Sequence, residues 1–164
     1  DHFLPKTKCP IIGLSLFNFV PSCQICNSRI KQARALGDKV VEKIKYNPAG
    51  KDYCFDENVQ IRLRMNRKPT TSFRAKGDNY LYFRCENGFR KFVDFFHLEE
   101  RYEFHKKEAL RLLELRAKYP QSTIKRMAAL LGRSATDIHE DIFHKKYLSD
   151  NDRCFAKLTR DILK

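Results

Sequence analysis

Four side chains among the first 27 residues are of the types that hydrolyse a phosphodiester: Asp1, His2, Asn18 and Asn27. That reaction needs a base to deprotonate water and an oxygen-ligated divalent cation to meet the charge that builds on phosphate. His2 can be the base, because imidazole titrates close to neutral pH. Asp1 and Asn27 offer the hard oxygens that Mg²⁺ prefers, with most positions left to water and phosphate. Asn18 can hydrogen-bond and orient the loop that carries His2. Lys6, Lys8, Arg29 and Lys31 can grip a phosphate backbone as point charges or forks. Singly these residues say little. A lone histidine is usually an exposed side chain, and a lone asparagine usually serves a turn or a helix start.

Cys23 and Cys26 form a Cys-x-x-Cys immediately before Asn27. Two thiolates are half of a tetrahedral zinc site. A redox pair is the competing reading, disfavoured because Asn27 follows at once and nothing resembles a βαβ frame. Two ordinary buried cysteines are the third. The other cysteines, at 9, 54, 85 and 154, are scattered singly. Scattered thiols without a secretion signal read as reduced and cytoplasmic, not as a disulfide framework.

In combination, Asp1-His2-Phe-Leu-Pro5-Lys6 and Leu16-Phe17-Asn18-Phe19-Val20-Pro21-Ser22-Cys23-Gln-Ile-Cys26-Asn27-Ser28-Arg29-Ile30-Lys31 resemble the ββα-metal core of HNH endonucleases in its His-Asn-Asn form. The string covers under a fifth of the chain, but its parts rarely coincide at this spacing. The resemblance implies His2 as general base, Asn18 as the asparagine that orders the loop, and Asn27 as a ligand of Mg²⁺ or Mn²⁺ beside Asp1. It also implies a structural Zn²⁺ on Cys23 and Cys26. In many such proteins a second Cys-x-x-Cys lies ahead of the Asp-His, so the expectation is an upstream extension that completes the zinc site. DNA is the implied substrate. Membership of a restriction or antiphage defence system, beside an ATPase or other subunit, is the implied setting.

The elements that must position these residues divide the sequence into three. Residues 1–51 hold the motif: Pro5, Pro10 and Gly13 mark a loop, Leu14–Asn18 predicts a short strand, and Ser22 predicts the N-cap of a helix. That helix should run from about Cys23 through Ile30 towards Leu36 and close at Gly37. Asn47–Gly50 is a turn and a boundary. Residues 52–96 read as β. Val59, Ile61, Leu63 and Met65 alternate with polar residues, Asn79–Cys85 is a second strand, and Pro69 and Gly77 lie in a loop between them. The many aromatics of 80–96 suit a core better than a base-stacking surface. Residues 97–164 read as helical, with one run from Leu98 to Tyr119 placing His97 and His105 about two turns apart. Helices over Ser122–Leu131 and Asp137–Tyr147 follow, with a last one from Asp150. The predicted fold is α+β: a ββα-metal core, a small β element and a helical C-terminal region.

The whole chain carries 33 Lys and Arg against 20 Asp and Glu, a formal charge of +13, which makes a polyanion the leading partner class. Segment 1–51 is the most positive, with nine basic residues against three acidic. No apolar run approaches the roughly 20 residues of a membrane span, so no membrane partner is expected. The working expectation is an enzyme, a metal-dependent DNA endonuclease. The rivals are a catalytically inactive nucleic-acid-binding module, and an interaction subunit that works through 97–164.

Overall fold

The computed structural model describes residues 1–65, 79–144 and 155–164. It is an α+β protein, largely helical with a two-stranded antiparallel sheet. The strands are β1 (Val59–Met65) and β2 (Asn79–Cys85). Alternation decides their faces: Val59, Ile61, Leu81 and Phe83 are buried, whereas Tyr80 and Tyr82 face outward. A two-stranded ribbon is marginal in water and leaves amide donors unpaired along its edges. Here carboxylates receive them. Glu99 accepts from the Phe83 amide at 2.8 Å, Glu103 from Leu81 at 3.2 Å, and buried Asp161 from Ile61 at 2.9 Å.

The chain forms two compact units, and the division falls within the strands. The first comprises Asp1–Gln60 and Phe83–Arg101. It contains α1 (Val40–Tyr46), α2 (Phe55–Asn58) and α3 (Arg90–Phe95). Its core is aromatic. Tyr46 meets Phe89 edge-on at 5.5 Å, Phe55 meets Phe92 at 5.3 Å, and the Tyr46 hydroxyl donates to the Gly88 carbonyl at 2.8 Å. Lys91 on α3 pairs with Glu42 on α1 at 2.8 Å, and Glu42 also accepts from the Asp38 amide ahead of α1.

The second unit comprises Ile61–Tyr82 and Tyr102–Lys164. Its helices are α5 (Lys106–Lys118), α6 (Gln121–Leu131), α7 (Ala135–Phe143) and α8 (Ala156–Leu163), preceded by α4 (Leu98–Glu103), which starts in the first unit. Helix α5 packs on α8, and α6 on α7.

Several sequence expectations are corrected. Leu14–Asn18 is not a strand: Leu16–Asn18 is a 3₁₀ turn, and Leu14, Leu16 and Phe17 are exposed because no neighbouring strand covers them. The helix after Cys23 is a short π-helix, Ile25–Lys31, that stops where Gln32 takes φ +51°. It falls well short of Leu36, and Ser22 does not cap it, since Gln24 is the flanking residue. The segment 52–96 includes α2 and α3 beside its strands. His97 and His105 do not share a helix, because a turn at Phe104–His105 separates α4 from α5. Helix α7 starts earlier than Asp137, with the Ser134 hydroxyl as its cap, and ends at left-handed His144. The loop with Pro69 and Gly77, residues 145–147 of that helix and the start of the last helix at Asp150 lie outside the described residues.

Candidate active site

Backbone pairing places His2. It bridges Phe19 in antiparallel fashion. Around the bridge, Phe3 N donates to Asn18 O at 2.8 Å, Val20 N to Asp1 O at 2.9 Å, and Asp1 N to Val20 O at 3.1 Å. The imidazole packs on the Phe19 ring, centroids 4.6 Å apart. Its Nε2 lies 2.8 Å from the Gly13 carbonyl oxygen. A carbonyl only accepts, so Nε2 carries a hydrogen, and in the neutral ring the lone pair sits on Nδ1. The ring is thereby held in one tautomer by its neighbours.

Asn18 ties the loop. It is buried; its Oδ1 accepts from the Leu4 amide at 2.8 Å, and its Nδ2 donates to the carbonyls of Leu4 (3.1 Å) and Ile12 (3.3 Å). These bonds fix both ends of the loop between His2 and Gly13. A tight 3₁₀ turn at Leu16–Asn18 suits this better than a strand, because it brings the Asn18 amide back onto residues 4 and 12.

Asp1 is met by Lys31. The Lys31 ammonium lies 3.3 Å from Asp1 Oδ1 and 3.2 Å from Oδ2, with the two side chains 7% and 12% exposed. Burial pushes the Lys31 ammonium below its ordinary range. A lysine predicted to grip phosphate is thus committed inside the protein, whereas Lys6, Lys8 and Arg29 are exposed. Asn27 lies in the first turn of the π-helix, partly exposed, with its amide donating to Cys23 O at 3.0 Å. The helix therefore brings Lys31 to Asp1 and keeps Asn27 in its opening turn, within reach of solvent.

The two cysteines differ. Cys23 is exposed and Cys26 half-buried. The Cys26 amide donates to Cys23 Sγ at 3.4 Å, and it and the Cys26 thiol hold the Cys23 thiol below its usual range. Burial pushes Cys26 up, against Arg101, whose Nη1 donates to Cys26 Sγ at 2.9 Å. Sequence reasoning missed Arg101 and the burial of Lys31. An arginine 75 residues away and a lysine at a helix end carry no local signal.

Among the described residues, no group of three or more His, Cys, Asp or Glu could hold a metal ion by itself. No described helix is long and apolar enough to cross a membrane. The cavity beside the loop, about 260 Å³ and lined by Phe3, Pro5, Lys8 and Ile44 among others, includes none of Asp1, His2, Asn18 and Asn27. Compared with known proteins, the chain matches no family model, no curated protein and no solved structure.

Proposed function

We propose that this chain is a divalent-cation-dependent endonuclease of the HNH type that hydrolyses DNA phosphodiester bonds. The observation that carries the reading is the joint placement of two side chains. His2 is fixed in one tautomer against Gly13 and Phe19, and Asn18 closes the loop between them. Such over-determination is costly to build around a functionless histidine, and it is what a positioned general base requires.

In this reading His2 Nδ1 accepts the proton of the attacking water, while Nε2–H keeps its bond to Gly13 and steadies the imidazolium that forms. Asp1 and Asn27 are the residues that would hold Mg²⁺ or Mn²⁺. Their carboxylate and amide oxygens are of the right hardness, and the Lys31 ammonium against both Asp1 oxygens indicates a spot that calls for positive charge. The bound cation would supply stabilisation of negative charge on the phosphate and on the leaving oxygen. Exposed Lys6, Lys8 and Arg29 would draw the backbone in. Cys23 and Cys26 would contribute two of the ligands of a structural Zn²⁺, the rest coming from elsewhere, and Arg101 favours the thiolate form that zinc binds. Work within a defence system, beside an ATPase or other subunit, belongs to the same proposal.

One observation favours a second reading. If Lys31 never releases Asp1, the site binds nucleic acid without cutting it. Incubation of the protein with supercoiled plasmid separates the two. The proposal expects nicked or linear product with Mg²⁺ or Mn²⁺ and none in excess EDTA. Retained plasmid binding with no cleavage under any divalent cation would establish the second reading instead.

A further inference from the structure

Helices α6 and α7 meet through a turn of three residues, Gly132-Arg133-Ser134. Each residue of that turn has a definite task. Gly132 takes φ +63° with nothing within 4 Å of a would-be Cβ, so the left-handed backbone, not crowding, calls for glycine there. The amides of Gly132 and Arg133 both donate to the Ala128 carbonyl, closing α6 on a left-handed glycine. The Ser134 hydroxyl accepts from the Asp137 amide at 3.0 Å and opens α7.

The inner faces lock this turn. Ile124 and Ala128 of α6 are buried with Ile138 and Phe143 of α7, and Leu115 and Tyr119 at the end of α5 pack against them. Ala128 is the smallest side chain buried in this cluster. Three successive helices joined by short links, the last pair by a Gly-containing turn, make the architecture that presents its final helix to a DNA groove.

The outer surface suits that partner. Gln121 at the start of α6 and Ala135, Thr136, His139 and Glu140 of α7 share one concavity. The first turn of α6 holds no acidic residue, and Lys125 and Arg126 are exposed along it. Helix α7 carries Asp137, Glu140 and Asp141 and no Lys or Arg, and Arg133 of the turn pairs with Asp141 at 2.6 Å. Basic residues outnumber acidic ones among the described residues of the second unit, 13 Lys and Arg against 7 Asp and Glu.

We propose that α6 and α7 form a helix-turn-helix that seats α7 in the major groove of duplex DNA, with Thr136, His139 and Glu140 facing the base edges. A threonine methyl contacts thymine, and a glutamate accepts from the cytosine amino group. Phosphates then fall to the start of α6 and to Lys125 and Arg126. This surface is separate from the His2 site and does not depend on it.

The test uses the full chain carrying His2→Ala, in EDTA, so that cleavage plays no part. Selection from a pool of randomised duplexes is expected to yield a consensus. Glu140→Ala should erase the preference at one position, a loss of roughly 5- to 150-fold in discrimination, with circular dichroism unchanged. Lys125→Gln with Arg126→Gln should instead weaken all duplexes alike and lower the salt slope by about 0.9 for each phosphate no longer neutralised. No consensus, or a consensus that Thr136→Ala, His139→Ala and Glu140→Ala all leave intact, overturns the proposal. In the latter case α7 serves a protein partner and the DNA surface lies elsewhere.

Discussion

Asn18 accepts from one amide and donates to two carbonyls, so a single side chain closes the loop on which His2 depends. Asn18→Ala leaves these backbone groups to water or unpaired, at about 2–4 kcal/mol for the set, readable as a lowered urea midpoint. Asn18→Asp is the sharper variant, because its second oxygen would face the Leu4 and Ile12 carbonyls without a hydrogen. It should be at least as destabilising; a midpoint equal to wild type would mean the loop is held by other interactions. Lys31 gives a second prediction at this scale. A unit charge about 3–4 Å from a carboxylate is worth up to about 4 kcal/mol at moderate screening, so Lys31→Met should tighten Mg²⁺ binding on the order of tenfold by calorimetry. Unchanged affinity would place the cation away from Asp1. The candidacy of His2, Asn18 and Asn27 could be read from residue type and spacing. The Gly13 carbonyl and the Lys31–Asp1 pair could not, since a backbone acceptor has no residue identity and a lysine reads as surface.

Among the elements, alternation made β1 legible, β2 was read with its observed bounds Asn79–Cys85, and the helix expected over Ser122–Leu131 lies within a residue of α6. The misread elements were those set by tertiary interactions. Leu14–Asn18 has strand composition, yet the partners of Asn18 require a turn. The run from Leu98 to Tyr119 keeps helical spacing through a break at Phe104–His105 that no proline or glycine announces. Carboxylates at the ribbon edges had no sequence signal either: Glu99 serves the Phe83 amide and Arg90, partners that residue type and spacing do not announce. Asp161→Ala tests this arrangement. It strands a buried Ile61 amide and removes the Lys157–Asp161 ion pair, so unfolding should become easier by about 2–4 kcal/mol. The α1–α3 clamp predicts a pH dependence. The Lys91 ammonium, then the Asp38 amide, hold the Glu42 carboxyl at about 2, down from its ordinary 4.5. A lowered acid contributes stability above the unfolded value and loses it as pH falls towards the folded one. Stability should therefore decline between pH 4.5 and about 2, and Lys91→Gln should flatten that decline; an identical acid-unfolding curve would show the pair to be inert.

For the whole molecule, composition pointed to a polyanion but not to where it binds. Segment 1–51 looked densest in positive charge, while segments 61–82 and 102–164 together carry +10 of the chain's +13 in the sequence. Two surfaces are proposed: a cutting site around His2 and a gripping surface on α6 and α7. The claim on which the account turns is that His2 is a base and not a structural ring. Single-turnover cleavage of a defined duplex in Mg²⁺, comparing wild type with His2→Ala, tests it most directly, with duplex affinity measured in parallel in EDTA. The account predicts a fall of about 10²–10⁴ in rate, with affinity within a few-fold of wild type. Cleavage at the wild-type rate by a pure His2→Ala preparation would contradict it.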